Sequence, residues 1–169
     1  MNKIFLFIIF TAIIAVAGYS QNQYEVVKDN DGSRILKGFI SRDILASDTS
    51  FRWYAQNLKP YTGKDAAVFG KYKDSVQLII FLGTWCEDSH TVIPKLFSFL
   101  DAAGFSNDRM TVIGVDRNKK SISHITDALN VINVPTVILL KEGKELGRVV
   151  EYGQYGMVEK ELTEILEKK

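Results

Sequence analysis

One thiol carries whatever covalent chemistry this sequence can do. Cys86 is the only cysteine among 169 residues, so an intrachain disulfide and an all-cysteine metal site are both excluded. A lone thiolate can still attack a disulfide, but the mixed disulfide it forms must then be opened by an outside thiol. The thiol sits in the run Trp85-Cys86-Glu87-Asp88-Ser89-His90, where a strand-like segment gives way to a helical pattern. A helix N-terminus favours a thiolate through its dipole and unpaired N–H groups, by about 0.3 to 2 kcal/mol. Ser89, three residues on, can add a hydroxyl hydrogen bond, whereas Glu87 and Asp88 are like charges that oppose the anion. His90, at i+4, falls on the same side of the helix and would favour the thiolate if protonated. A cysteine beside a histidine also fits a hydrolase dyad or a metal site. No third group is visible in the motif, however, and His124 belongs to a different helix start, so a surface or capping histidine is the plainer reading and no metal is expected.

Such a motif needs a strand that ends just before Trp85 and a helix that starts at Cys86. Residues 76–82 (VQLIIFL) are a nearly continuous apolar run, the pattern of a strand buried on both faces. Val92, Ile93, Leu96, Phe97, Leu100 and Ala103 then recur on one helical face, Gly104 stops the helix, and residues 111–115 (TVIGV) form the next strand. Downstream, Ser121 offers an N-cap to a helix holding Ile122, Ile125 and Leu129. Val134-Pro135-Thr136 leads into a strand over residues 137–140, residues 142–144 make a turn, and residues 145–150 form a last strand before a helix with Val158, Leu162, Ile165 and Leu166 on its apolar face.

Upstream, residues 24–28 (YEVVK) and 34–40 (RILKGFI) flank a turn-rich tract and predict a hairpin with Gly32 at positive φ. Ser47, Asp48 and Thr49 offer N-caps to a helix bearing Phe51, Tyr54, Ala55 and Leu58, and a weaker helical pattern runs over residues 64–72. The aromatics Phe51, Trp53 and Tyr54 read as core at this spacing.

The order strand, helix, strand, helix, strand, strand, helix, with Trp85-Cys86 at the first strand-to-helix junction, resembles the thioredoxin superfamily over residues 76–169. Pro94 falls eight residues after Cys86, where thioredoxins kink that helix. Val134-Pro135-Thr136 is similar to their cis-proline loop, and Gly143 stands at the expected hairpin turn. The resemblance implies an α/β, thioredoxin-like fold: a central mixed sheet flanked by helices, with residues 21–75 an N-terminal extension packed on the 76–169 core. It also implies that Pro135 faces the thiol, that Val134 pairs through its backbone with an extended substrate peptide, and that Trp85 shields the sulfur and gives that peptide an apolar contact. Two departures matter. Thioredoxins carry Cys-x-x-Cys, whereas this chain reads Cys86-Glu87-Asp88-Ser89, which implies monothiol chemistry; and the buried carboxylate expected six residues before the first cysteine is Ile80.

Composition sets the remaining bounds. With 21 basic and 20 acidic side chains, 46% hydrophobic residues and 3 Pro, the chain is neither a basic nucleic-acid binder nor disordered. Lys3 followed by the apolar residues 4–17 and small residues up to Ser20 reads as a signal peptide over residues 1–20, too short an apolar run for the roughly 20 residues of a membrane-spanning helix. Retention as an anchor is the second choice. The expected location is therefore periplasmic or secreted, with no membrane contact once the signal is removed. The expected partners are protein thiols or disulfides, with no nucleic acid, no cofactor, and a Cys86-linked disulfide dimer left open. The leading function is thiol-disulfide exchange through Cys86, by reduction or isomerisation with an external thiol. The alternative is a redox-inactive binding module of the same fold. Monothiol glutaredoxin behaviour is weaker, because Glu87-Asp88 replaces the residues common there.

Overall fold

The computed structural model describes residues 23–168; the expected signal segment, residues 1–20, lies outside them. Six strands form one mixed sheet in the order β1-β2-β4-β3-β5-β6. These are β1 (Tyr24–Lys28), β2 (Arg34–Ile40), β3 (Gln77–Leu82), β4 (Met110–Gly114), β5 (Thr136–Lys141) and β6 (Lys144–Val150). Among the described residues only β3 and β4 run parallel, joined by the long crossover helix that follows β3; the other neighbours are antiparallel. The helices are α1 (Arg42–Ser47), α2 (Arg52–Asn57), α3 (Asp65–Phe69), α4 (Glu87–Ala102), α5 (Ile125–Ala128) and α6 (Val158–Glu167).

The continuous apolar run of β3 follows from its place in the middle of this sheet. Leu78, Ile80 and Leu82 point into a large core with α4, α6 and the N-terminal helices, while Phe81 points to the opposite face with Ile113, Val115, Val131, Val134 and Ile138. Burying each such side chain stabilises the fold by about 1.5 to 3 kcal/mol. Trp85 and Cys86 pack on the rim of the second, smaller cluster. Among the described residues no helix is long and apolar enough to cross a membrane.

Several expectations shift in detail. A helix not foreseen, α1, is capped by Ser41, whose side chain accepts the Ile44 N–H. In and before α2, Phe51 and Tyr54 are core, but Ala55 and Leu58 are exposed and Trp53 is half-buried. The helix expected after Ser121 splits into a 3-10 turn and the four-residue α5, because Ser123 and His124 both take left-handed backbone at φ 53°. Ser121 does not cap it: its hydroxyl donates to the Gly114 carbonyl at 3.0 Å.

Helix α4 carries Pro94 inside it. Proline has no N–H to give the carbonyl four residues back, which leaves the His90 oxygen without its helical donor. Asn57, at the end of α2, supplies one: its Nδ2 donates to His90 O at 3.1 Å. The N-terminal helices thus complete a hydrogen bond that the core helix cannot make. Removing that amide by Asn57→Ala should cost about 0.5 to 1.5 kcal/mol, and the cost should shrink in a Pro94→Ala background where the helix can bond itself. Urea unfolding of the two single variants and the double variant measures the coupling.

Candidate active site

Cys86 is the N-terminal flanking residue of α4, half-buried, with extended backbone at φ −99° and ψ 120°. Its Sγ donates to the Val134 carbonyl at 3.4 Å, and the Val134–Pro135 peptide bond is cis. The thiol therefore lies against the loop entering β5, where Trp85 and Val134 share one apolar cluster with it and Pro135 is the next residue of the loop. In this state Sγ does not cap the first turn of α4, so the thiol bonds to a carbonyl rather than to the helix amides expected from its position.

The loop that presents Cys86 is fixed group by group. Gly83 has no room for a side chain: a Cβ there would stand 2.8 Å from the Trp85 ring and 3.1 Å from Cys86 Cβ. The Gly83 N–H donates to Ser89 Oγ at 3.2 Å, and the Gly83 carbonyl accepts from the Cys86 N–H at 3.0 Å. Thr84 is buried; its Oγ1 accepts the Leu36 N–H at 3.1 Å and donates to the Arg34 carbonyl at 3.4 Å, continuing the bonding of β2 past the end of β4. The Trp85 Nε1–H donates to the Val115 carbonyl at 2.9 Å.

Two candidate residues do other work than their spacing implied. Ser89 is fully buried beneath the loop and holds Gly83; no hydrogen bond joins it to Sγ. His90 turns away from the thiol. Its ring stacks on Trp53 with centroids 4.3 Å apart and 16° between planes, and its Nε2 lies 2.8 Å from the Thr84 carbonyl. A carbonyl only accepts, so Nε2 carries the hydrogen. His90 is thus a strut between α2 and the active-site loop, not a partner of the sulfur. Glu87 is exposed and Asp88 half-buried at the start of α4, and Ile80, in place of a carboxylate, is fully buried in the apolar core.

Three neighbours were not singled out by sequence. Arg117 stands over the Trp85 ring, its Cζ 5.1 Å from the centroid, and Lys119 Nζ is 5.8 Å away. Arg117 is locked to Asp29 in the β1–β2 turn, Nη2 to Oδ2 2.6 Å, with the carboxylate side chain 5% exposed and the guanidinium 53% exposed. The Arg117 hydrogen bond, and then the Asn30 N–H, hold the Asp29 carboxyl below its ordinary range. The hydrogen bond to Asp29 in turn raises Arg117. Tyr152, in the turn after β6, is raised by partial burial first and then by Asp88 and Cys86, while Thr91 opposes the shift. None of the three had a sequence signal, because each reaches the site from a distant turn.

No protein-family model matches the chain. The thioredoxin of Alicyclobacillus acidocaldarius subsp. acidocaldarius is 27% identical over 96 residues, covering 56% of this chain and 85% of that protein. The thioredoxin of Echinococcus granulosus is 28% identical over 95 residues, covering 56% and 80%. This likeness supports membership of the thioredoxin superfamily. Among solved structures, the germline-specific thioredoxin Deadhead of Drosophila melanogaster is similar at 19% identity and a TM-score of 0.41, covering 59% of this chain and 86% of that one. Thiol-disulfide oxidoreductase-type function is what this kinship with thioredoxins points to. The thioredoxin-like site here differs in holding a single thiol, with Ser89 buried where a second motif cysteine would stand.

Two outcomes follow from this geometry. Gly83→Ala must displace the Trp85 ring, so it should destabilise the fold by about 1 to 3 kcal/mol and change the tryptophan fluorescence of the native state. The Asp29–Arg117 pair should stabilise the hairpin fully above the unfolded carboxyl value of about 3.9 and lose that effect as pH falls through the lower native value. Amide exchange in β1 measured against pH checks the sign: the acid-induced loosening should vanish in Asp29→Asn.

Proposed function

We propose that the protein performs thiol-disulfide exchange through Cys86 alone, with an external thiol completing each cycle. The observation that supports this most directly is the placement of a half-buried Sγ at the start of α4, 3.4 Å from the Val134 carbonyl and beside Trp85. In the proposed cycle the Cys86 thiol loses its proton to water and the thiolate attacks one sulfur of a partner disulfide. A Cys86 mixed disulfide forms, and the other partner sulfur leaves as a thiolate that takes up a proton. An external thiolate then attacks the partner's sulfur in that mixed disulfide. Cys86 is released as a thiolate and the partner is joined to the external thiol; a second external thiol reduces the partner fully. Forming the mixed disulfide removes the S–H that now occupies the Val134 oxygen, which becomes free to accept an N–H from the partner's extended backbone.

The partners we propose are protein thiols and disulfides met outside the cytoplasm, in the periplasm or after secretion, a reading supported by the apolar residues 4–17 behind Lys3. A second reading, a redox-inactive binding module, draws support from Ile80 and Ser89, which leave the site without a buried carboxylate or a resolving thiol. Alkylation of the purified protein with iodoacetamide across pH separates the two. A thiol that reacts faster than a free cysteine peptide at pH 7, together with trapping of mixed disulfides abolished by Cys86→Ser, is the expected result. A thiol slower than the free peptide, with partner binding unaffected by Cys86→Ser, would assign the fold to binding.

A further inference from the structure

We propose that a cleft on the Trp85 side of Cys86 is a second substrate subsite, which receives the polypeptide flanking the target cysteine. This rests on the reading of Cys86 as an exchange nucleophile and adds to it a second place where the protein substrate is held. The cleft has a volume of about 550 Å³, walled by Asp31 and Arg34 of the hairpin, Ser50 and Trp53 before and within α2, and Trp85 and Arg117. That is within the about 300–1,000 Å³ of ordinary ligand sites.

Its position couples it to the thiol. Trp85 is both the residue next to Cys86 and a wall of the cleft. A chain joined to Sγ and extended at about 3.3 Å per residue passes Trp85 within about two or three residues. Val134 is not part of the cleft wall, so the cleft would take a stretch of the partner other than the one held at Val134.

The lining argues for a peptide over an ion. Asp29, Asp31, Arg34 and Arg117 all line the cleft, so their formal charges cancel and no net field draws a small ion of either sign. Both guanidiniums keep part of their surface in water, Arg34 43% and Arg117 53% exposed, while each is held by a carboxylate, Asp48 and Asp29. Fixed donors with free surface, beside tryptophan rings and the Ser50 hydroxyl, suit peptide carbonyls and aromatic or amide side chains. The walls are already braced by the Thr84 to Leu36 and Asp29 to Arg117 bonds, so little ordering is needed on binding. Most of the cleft is contributed by residues 29–53, outside the 76–169 thioredoxin-like core.

Single-turnover exchange tests the subsite, using a neutral hexapeptide with one cysteine flanked by tyrosine and asparagine, presented as its 2-thiopyridyl disulfide. 2,2′-Dithiodipyridine is the small control, with the same leaving group and no reach into the cleft. Ser50→Trp fills the cleft and Arg34→Ala removes a donor, both away from Cys86. Each should slow the peptide reaction by about fivefold or more and leave the control rate unchanged. Unchanged peptide rates in both variants would overturn the subsite, as would equal losses on both substrates, which would mean a disturbed thiol loop. A wild-type protein that fails to react even with the control would instead overturn the reading of Cys86 as a nucleophile.

Discussion

The structure depends on one constraint: the loop between β3 and α4 has to offer a thiol to solvent while the polar groups around it stay bonded. An unpaired buried N–H or carbonyl costs about 1 to 3 kcal/mol, and this short stretch holds several. The Gly83 N–H goes to Ser89, Thr84 O to His90, the Trp85 indole to Val115, and Thr84 Oγ1 to β2. The carbonyl of His90, which Pro94 leaves without a helical donor, goes to Asn57. Most of these partners lie far from the loop in sequence. The N-terminal hairpin and helices are therefore part of the site's framework: they supply the donors, acceptors and aromatic face that a Cys-Glu-Asp-Ser loop cannot provide for itself.

That framework explains why the residues nearest the thiol in sequence are not the ones that govern it in space. Ser89 and His90 share the helix with Cys86, yet one is buried beneath the loop and the other is stacked on Trp53. The polar contact of the sulfur is a carbonyl from the opposite loop, Val134 O. Nearby positive charge comes from Lys119 and from Arg117, the latter held over Trp85 by a carboxylate in the hairpin turn. A thiol in this setting differs from one in a dithiol motif: with no second thiol in the chain, a mixed disulfide formed at Cys86 would have to be opened by a thiol from outside.

The two-sided burial of β3, the amphipathic stripe of α4, the hairpin around Gly32 and the order of the strands were all legible from the sequence. Each is written in a local period or a turn residue that burial enforces. Less legible were short elements whose limits come from packing. Helix α1 has six residues and one buried apolar side chain, Leu45, and α5 is shortened by left-handed backbone at Ser123 and His124. Residues this few carry too weak a pattern to rise above the loops around them.

By itself, then, the sequence determined that one thiol stands at the start of a helix after a doubly buried strand, that no second thiol can resolve its disulfides, and that a proline loop enters the strand beside it. Composition, periodicity and count are properties of the chain read in order. Tertiary structure alone decided which groups that thiol meets, because Val134, Arg117, Trp53 and Asn57 are brought there by sheet pairing and helix packing across tens of residues, and side-chain direction has no period to read. It decided in the same way that a cleft opens beside Trp85, since its walls are joined only when the hairpin edge of the sheet closes against the active-site loop.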